Sequence, residues 1–172
     1  MNIETQRLLL IACTKEITEA VLAGDNAIKE LLNVNIPTKW TEFGEPAFRF
    51  TLARLSEQPD EFMWWAYLPI YKADNMLVGS CGFKGVPTDT GMVEIGYEVA
   101  ESYRNKGLAT EFATALIDFA FSHPQVTMVQ AHTLAVENAS CAVLQRCGMQ
   151  KMETLEDPDD GLIWRWELKR NS

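Results

Sequence analysis

The chain has 172 residues, 47% of them hydrophobic and 23% charged, with a formal net charge of −9 at pH 7. That length suits a single domain, residues 1–172, with a buried core of its own, and the acidic balance argues against nucleic-acid binding, which rests on Lys and Arg meeting phosphates. No segment approaches the roughly 20 apolar residues of a membrane helix, and Met1 to Arg7 lacks the basic-then-apolar layout of a signal peptide, so no membrane association and a cytoplasmic address are expected.

Arg7 to Ile11 is an apolar run that predicts a strand, and Lys15 to Ala23 predicts a helix ended by Gly24. A less regular region, Asn33 to Pro46, leads to a helix over Ala47–Ser56. Met63 to Tyr71 is aromatic and strand-like. The turn Ala73-Asp74-Asn75 passes it to a second strand, Met76–Phe83, and Pro87 to Gly91 turns that into a third, Met92–Val99. Three consecutive strands joined by turns predict an antiparallel meander.

The second half alternates. Leu108, Phe112, Ala115, Leu116 and Phe119 recur at helical spacing, predicting a helix over Gly107–Ser122 with Pro124 beyond its end. Val126–Leu134 is a strand. Asn138–Cys147 is a short helix closed by Gly148. Two strands, Met149–Glu156 and Leu162–Leu168, finish the chain around the turn Asp157 to Gly161. A meander followed by β-α-β-α-β-β predicts an α+β fold with a mixed sheet.

Four cysteines, at 13, 81, 141 and 147, form no C-x-x-C pair and suggest small buried thiols rather than a zinc site or a disulfide framework. Trp65, Tyr67 and Tyr71 alternate to one face of their strand with Trp64 on the other. With Trp40 they are expected to mix core with some substrate-side positions. His123 ends a helix, where positive charge suits the dipole, and His132 lies within a strand as a packed residue.

The segment most suggestive of chemistry runs from Ala100 to Thr110, between a strand and a helix. A helix start leaves backbone N–H groups without partners and carries partial positive charge, so an anion is its natural occupant. Gly107 lets the backbone turn and approach a ligand closely, Ala109 keeps the next position small, and Arg104 and Lys106 add charge. On spacing alone, an ordinary strand-to-helix loop fits equally well.

Wider context favours a ligand site. Arg104-x-x-Gly107-x-Ala109, after a strand and opening an amphipathic helix, resembles the Q/R-x-x-G-x-G/A coenzyme motif of the GNAT N-acetyltransferases. Val93 to Val99 resembles that family's fourth strand. Ala131 to Leu134, Asn138-Ala139-Ser140 and Val143 to Met149 resemble its second motif. Glu4-Thr5-Gln6-Arg7-Leu8-Leu9-Leu10 is similar to the start of the branch that acetylates ribosomal-protein N-termini. The likeness spans nearly the whole chain.

The resemblance implies a mostly antiparallel sheet flanked by helices and splayed between the family's fourth and fifth strands, here Met92–Val99 and Val126–Leu134. It implies acetyl-coenzyme A as co-substrate and no metal. It puts the pyrophosphate on the backbone amides of Asn105, Lys106, Gly107, Leu108, Ala109 and Thr110, framed by Arg104. The pantetheine arm would run beside Glu98 and Val99, with Asn138 reaching it from the facing helix. Some relatives carry that Asn one position earlier, where this chain has Glu137. The partner is an amine acceptor, a small molecule or a protein N-terminus, and the branch admits a homodimer.

Such chemistry requires a neutral amine. Deprotonating a lysine-type amine (pKa about 10.4) at pH 7 costs about 4–5 kcal/mol, and a peptide α-amine, near 8, about 1.4 kcal/mol. A proton acceptor is therefore needed, directly or through water. Glu94 and Glu98 share one face of their strand, roughly 13 Å apart at about 3.3 Å per residue, too far to share a proton. Glu94 is the first choice of base; Glu98 lies nearer the coenzyme, and a water is the third alternative. For the departing thiolate, many relatives place a tyrosine where this chain has Leu144. In the ribosomal branch a serine serves instead, and Ser140 matches it; a helix-start cap is the competing role for Ser140. Two rival functions remain at this stage. A non-catalytic acyl-CoA sensor would keep the cradle without a base, and a doubly wound nucleotide-binding domain is disfavoured by the opening meander and the missing G-x-G-x-x-G.

Overall fold

Two short strands, β1 (Asn2–Glu4) and β2 (Leu8–Ala12), open the computed structural model, which describes residues 1–171. Along β2, Leu8, Leu10 and Ala12 are buried in the main core while Leu9 and Ile11 pack against a second apolar cluster on the other face. Helix α1 (Lys15–Ala23) starts at Thr14, whose hydroxyl accepts from the Ile17 N–H at 3.3 Å, and stops at Gly24 as expected. Gly24 also begins α2 (Asp25–Leu32), a helix absent from the sequence reading, which buries Ile28. Helix α3 (Gly44–Glu57) begins three residues earlier than expected, because Pro46 fits a first helical turn rather than ending a loop.

A 3₁₀ turn, Pro59–Trp64, absorbs Met63 and Trp64, so β3 is Ala66–Tyr71. The expected strand Met76–Phe83 is split into β4 (Met76–Leu77) and β5 (Gly79–Phe83). The division falls at Val78, just before Gly79, where φ is 152° and an added Cβ would sit 2.0 Å from the Glu98 carbonyl oxygen. Only glycine allows that approach. Then follow β6 (Met92–Val99), α4 (Leu108–Phe121), β7 (Met128–Leu134), α5 (Ala139–Arg146), β8 (Gln150–Asp157) and β9 (Gly161–Lys169).

The sheet order is β1-β2-β3-β5-β6-β7-β9-β8, with β4 also on β3. The predicted meander is β3-β5-β6. Every pair is antiparallel except β6 with β7, which run parallel. This is an α+β fold with a mixed, mostly antiparallel sheet. One face packs on α4 and α5, with Leu108, Phe112 and Leu116 meeting Leu8, Leu10, Val93 and Ile95 in the main core. The other carries Ile28, Trp40, Phe48, Leu68 and Ile70 beneath the N-terminal helices. Trp40, Trp64, Trp65 and Tyr67 are all buried, which corrects the expectation that some face a substrate: Trp64, for example, packs edge-on against Phe83 and His123. No described helix is long and apolar enough to cross a membrane.

Candidate active site

The parallel pair β6 and β7 holds together over only three register positions, Met92↔Met128, Val93↔Val129 and Glu94↔Gln130. Beyond Glu94 the two strands part, although both continue, β6 to Val99 and β7 to Leu134. Toward β5, the Lys84 N–H donates to the Glu94 carbonyl and the Ala100 N–H to that of Val78. Since antiparallel ladders alternate, the even-numbered residues of β6 spend their backbone groups on β5 and the odd-numbered ones face the gap. Arg104 Nε reaches one of these, the Val99 carbonyl, at 3.2 Å. Of the two residues expected at the coenzyme arm, Val99 therefore turns its backbone to the gap and Glu98 turns its own to β5.

At the end of β6 the loop enters α4. Asn105 and Gly107 both take left-handed backbone, φ 62° and 77°. The N–H groups of Asn105, Lys106, Gly107, Leu108, Ala109 and Thr110 have no hydrogen-bond acceptor among the described residues. Six consecutive free donors at a helix N-terminus form a cradle for an anion of phosphate type. Arg104 lies at the start of this loop, its Nη2 also meeting Glu42 Oε1 at 3.2 Å. Lys106 Nζ lies 5.6 Å above the Tyr103 ring. Leu108 is buried and serves the core through its side chain. The cradle continues into a cleft of about 530 Å³ between β6, α4 and α5, lined by Tyr97, Val99, Ala109, Ser140 and Val143 among others. A phosphorylated ligand with a long thin arm fits this shape: anion at the loop, arm against the odd-numbered backbone of β6.

On α5 the cap is Asn138, not Ser140. Its Oδ1 accepts from the Cys141 N–H at 3.0 Å, which removes the alternative role of Ser140 as cap. The Ser140 side chain is half-buried on the first turn. Cys141 is fully buried and Cys147 half-buried; none of the four cysteines is bonded to another. Tyr97, which sequence reasoning passed over, extends its hydroxyl to 3.5 Å from the Ser140 carbonyl. Burial pushes that hydroxyl's pKa up, so it stays protonated. Its strand position and the splay beside it were both expected; what the sequence did not report is the approach of its hydroxyl to α5.

A second cavity, about 940 Å³, opens on the other face of β6 and β7, with Glu94, Gly96, His132, Asn138 and Leu144 in its wall. It shares Tyr97 and Ser140 with the cleft, so the two meet where the strands part. Asn138 borders this cavity rather than the cleft. Glu94 is mostly buried; its Oε1 accepts from Lys84 Nζ at 2.7 Å and lies 2.8 Å from His132 Nδ1. Glu98 has a different occupation. Oε1 accepts from the hydroxyls of Thr41 and Ser80, and Oε2 from the N–H groups of Glu42 and Phe43, at 2.8 and 3.2 Å. It anchors the segment that starts α3, so the two carboxylates have separate sets of partners.

Comparison with known proteins agrees with this geometry. Residues 7–150 match the acetyltransferase (GNAT) domain family. The chain is 34% identical over 152 residues to the N-acetyltransferase YjdG of Bacillus subtilis (strain 168), covering 85% of this chain and 88% of that one. Among solved structures, a GNAT-family acetyltransferase from Bacillus anthracis superposes with a TM-score of 0.66 at 19% identity, covering 98% of both chains. The ribosomal α-N-protein acetyltransferase RimL, solved in complex with coenzyme A, superposes with a TM-score of 0.70 at 17% identity, again over 98% of both.

Proposed function

Because the chain belongs to the GNAT acetyltransferase family and is an acyltransferase, we propose that it moves an acetyl group from acetyl-coenzyme A directly to a primary amine. One observation carries this reading: an anion-ended cleft and a separate polar cavity on opposite faces of the sheet meet at Tyr97 and Ser140. A donor and an acceptor entering from the two sides would come together only there. Bound in the cleft, acetyl-coenzyme A supplies a thioester carbon open to attack by an amine.

The residues divide the remaining work. The free amides from Asn105 to Thr110 hold the pyrophosphate, with Arg104 fixing the loop to β6. The outward backbone of Tyr97 and Val99 pairs with the pantetheine arm, and Asn138 orders α5 beside it. Glu94 provides the negative end of the proton-accepting apparatus. Ser140, which does not cap α5 and lines the junction of cleft and cavity, is the candidate to give the departing sulfur its proton. The acceptor is a small amine or a protein N-terminus. The opening Thr5-Gln6-Arg7-Leu8 and the fold-level likeness to a ribosomal α-N-protein acetyltransferase favour the N-terminus.

Thiol release from acetyl-coenzyme A, followed with a panel of peptides bearing free α-amines and of alkyl amines, tests the reading. Acceptor-dependent release is the expected result. Tight coenzyme binding with no release across the panel would overturn it.

A further inference from the structure

We infer that His132 is the group that takes the proton from the acceptor amine, with Glu94 acting through it as a positioning residue. This rests on the transferase reading above. The imidazole and the carboxylate arrive from different strands, β7 and β6, just where these part, and His132 Nδ1 lies 2.8 Å from Glu94 Oε1. An ionised carboxylate only accepts hydrogen bonds, so Nδ1 must carry the hydrogen. In the neutral ring that leaves the lone pair on Nε2, which has no partner among the described residues, while the ring lines the cavity opposed to the coenzyme cleft. Glu94 is poorly placed to do the work itself. Its Oε1 is already shared between the imidazole and Lys84 Nζ, at 2.8 and 2.7 Å.

The charged groups that face His132 come from three strands: Glu94 on β6, Lys84 at the end of β5, and Arg165 directly across from it on β9. Arg165 is itself engaged by Glu153 and Glu167. Glu156, Asp157 and Asp160 close the far side of the same cavity. In the step, the ammonium gives one proton to Nε2 and the freed nitrogen lone pair forms the C–N bond as the C–S bond breaks. The amine's second proton balances the departing thiolate, and the imidazolium later returns its proton to solvent. Sequence reasoning took His132 as a packed strand residue; only the register across the splay brings it to Glu94.

The test uses the full chain. His132 and His123 are its only histidines, so His132→Gln assigns the imidazole resonances unambiguously. Nitrogen chemical shifts at alkaline pH are expected to show His132 with the hydrogen on Nδ1, and Glu94→Gln is expected to release that preference. With n-butylamine and an alanyl peptide amide as acceptors, His132→Gln should lower kcat/KM by about 10²-fold or more and remove the acid limb of its pH profile. Glu94→Gln should shift that limb to lower pH and cost less. Hydroxylamine, neutral at pH 7, should be acetylated by His132→Gln nearly as well as by the unmodified protein. A hydrogen on Nε2 instead, or a His132→Gln profile that keeps its limb and its rate, overturns this assignment alone. Failure of the unmodified protein to acetylate any of the three acceptors overturns the transferase reading and this assignment with it, whatever the tautomer.

Discussion

Arg7 and Glu111, 104 residues apart in the chain, meet through Nε and Oε2 at 2.7 Å, and this contact ties the bend between β1 and β2 to the first turn of α4. The Arg7 N–H and the Thr5 hydroxyl both donate to the other carboxylate oxygen, at 3.0 and 2.6 Å. Arg7 Nη1 donates in turn to the Lys106 carbonyl at 2.8 Å, so the same guanidinium braces the anion cradle from behind. The opening Thr5-Gln6-Arg7-Leu8 thus has a physical job at the loop that opens α4.

Burial pushes the Glu111 carboxyl upward, but the Thr5 hydroxyl, the Arg7 N–H and the Arg7 guanidinium together outweigh it and hold the group below its usual range. A depressed carboxylate contributes stability above its unfolded pKa, about 4.3, and loses it as pH falls through the lower folded value. Glu111→Gln is therefore expected to destabilise the protein at pH 7 by about 1–2 kcal/mol, allowing for a partly exposed Arg7. The gap should narrow as pH drops below about 4. Urea unfolding of both proteins across that range measures it.

Gly107 tests the cradle separately from the brace. At φ 77° it holds left-handed backbone, and a Cβ there would lie 3.5 Å from Arg7 Nη2, an ordinary contact. Gly107→Ala should fold with a penalty of about 1 kcal/mol from the backbone alone. The six amides it helps aim should lose coenzyme A affinity by about tenfold. Calorimetric titration of coenzyme A, beside a thermal melt, separates the two effects; unchanged affinity would count against the loop as the pyrophosphate site.

Much of this was legible in the sequence because it rests on local rules. The α4 stripe, the helix start at Gly107 and the three meander strands are short-range patterns that hydrophobic spacing and helix-start chemistry decide. Where the reading failed, the cause was competition or distance. Gly24 stops one helix and starts another, so α2 was lost behind its own boundary. The aromatic run from Met63 had strand-like composition, but its first two residues were taken by a 3₁₀ turn and its indoles by the core. Glu98, His132 and Tyr97 depend on partners 18 to 57 residues away, and no spacing rule reports those.

Ser140 and Asn138 sit two residues apart and should behave in opposite ways. Asn138 supplies the cap, so Asn138→Ala should cost about 1 kcal/mol of stability. Ser140 caps nothing. Ser140→Ala should leave the melting temperature unchanged and lower kcat by about tenfold if its hydroxyl assists the thiolate. Equal kcat in the two proteins would leave that proton to come from water.

Glu98 makes the sharpest contrast between two substitutions at one position. Its Oε2 accepts from two backbone amides and its Oε1 from two hydroxyls, those of Thr41 and Ser80. A glutamine can satisfy both sides: its carbonyl oxygen takes the amides, and its NH₂ donates to hydroxyl oxygens, which accept as readily as they donate. Glu98→Gln is expected to lose less than about 1 kcal/mol, chiefly the favourable charge at the start of α3. Glu98→Ala strands all four donors and should cost about 2–3 kcal/mol. It should also raise the acceptor KM on the proposed reading, because Glu42 and Phe43, released from Glu98, line the larger cavity with Glu94 and His132. Coenzyme A affinity should change little in either variant, since the cradle amides do not depend on this carboxylate. If Glu98 were instead the base, Glu98→Gln would fold well and yet abolish turnover; retained kcat in that stable variant is the decisive measurement.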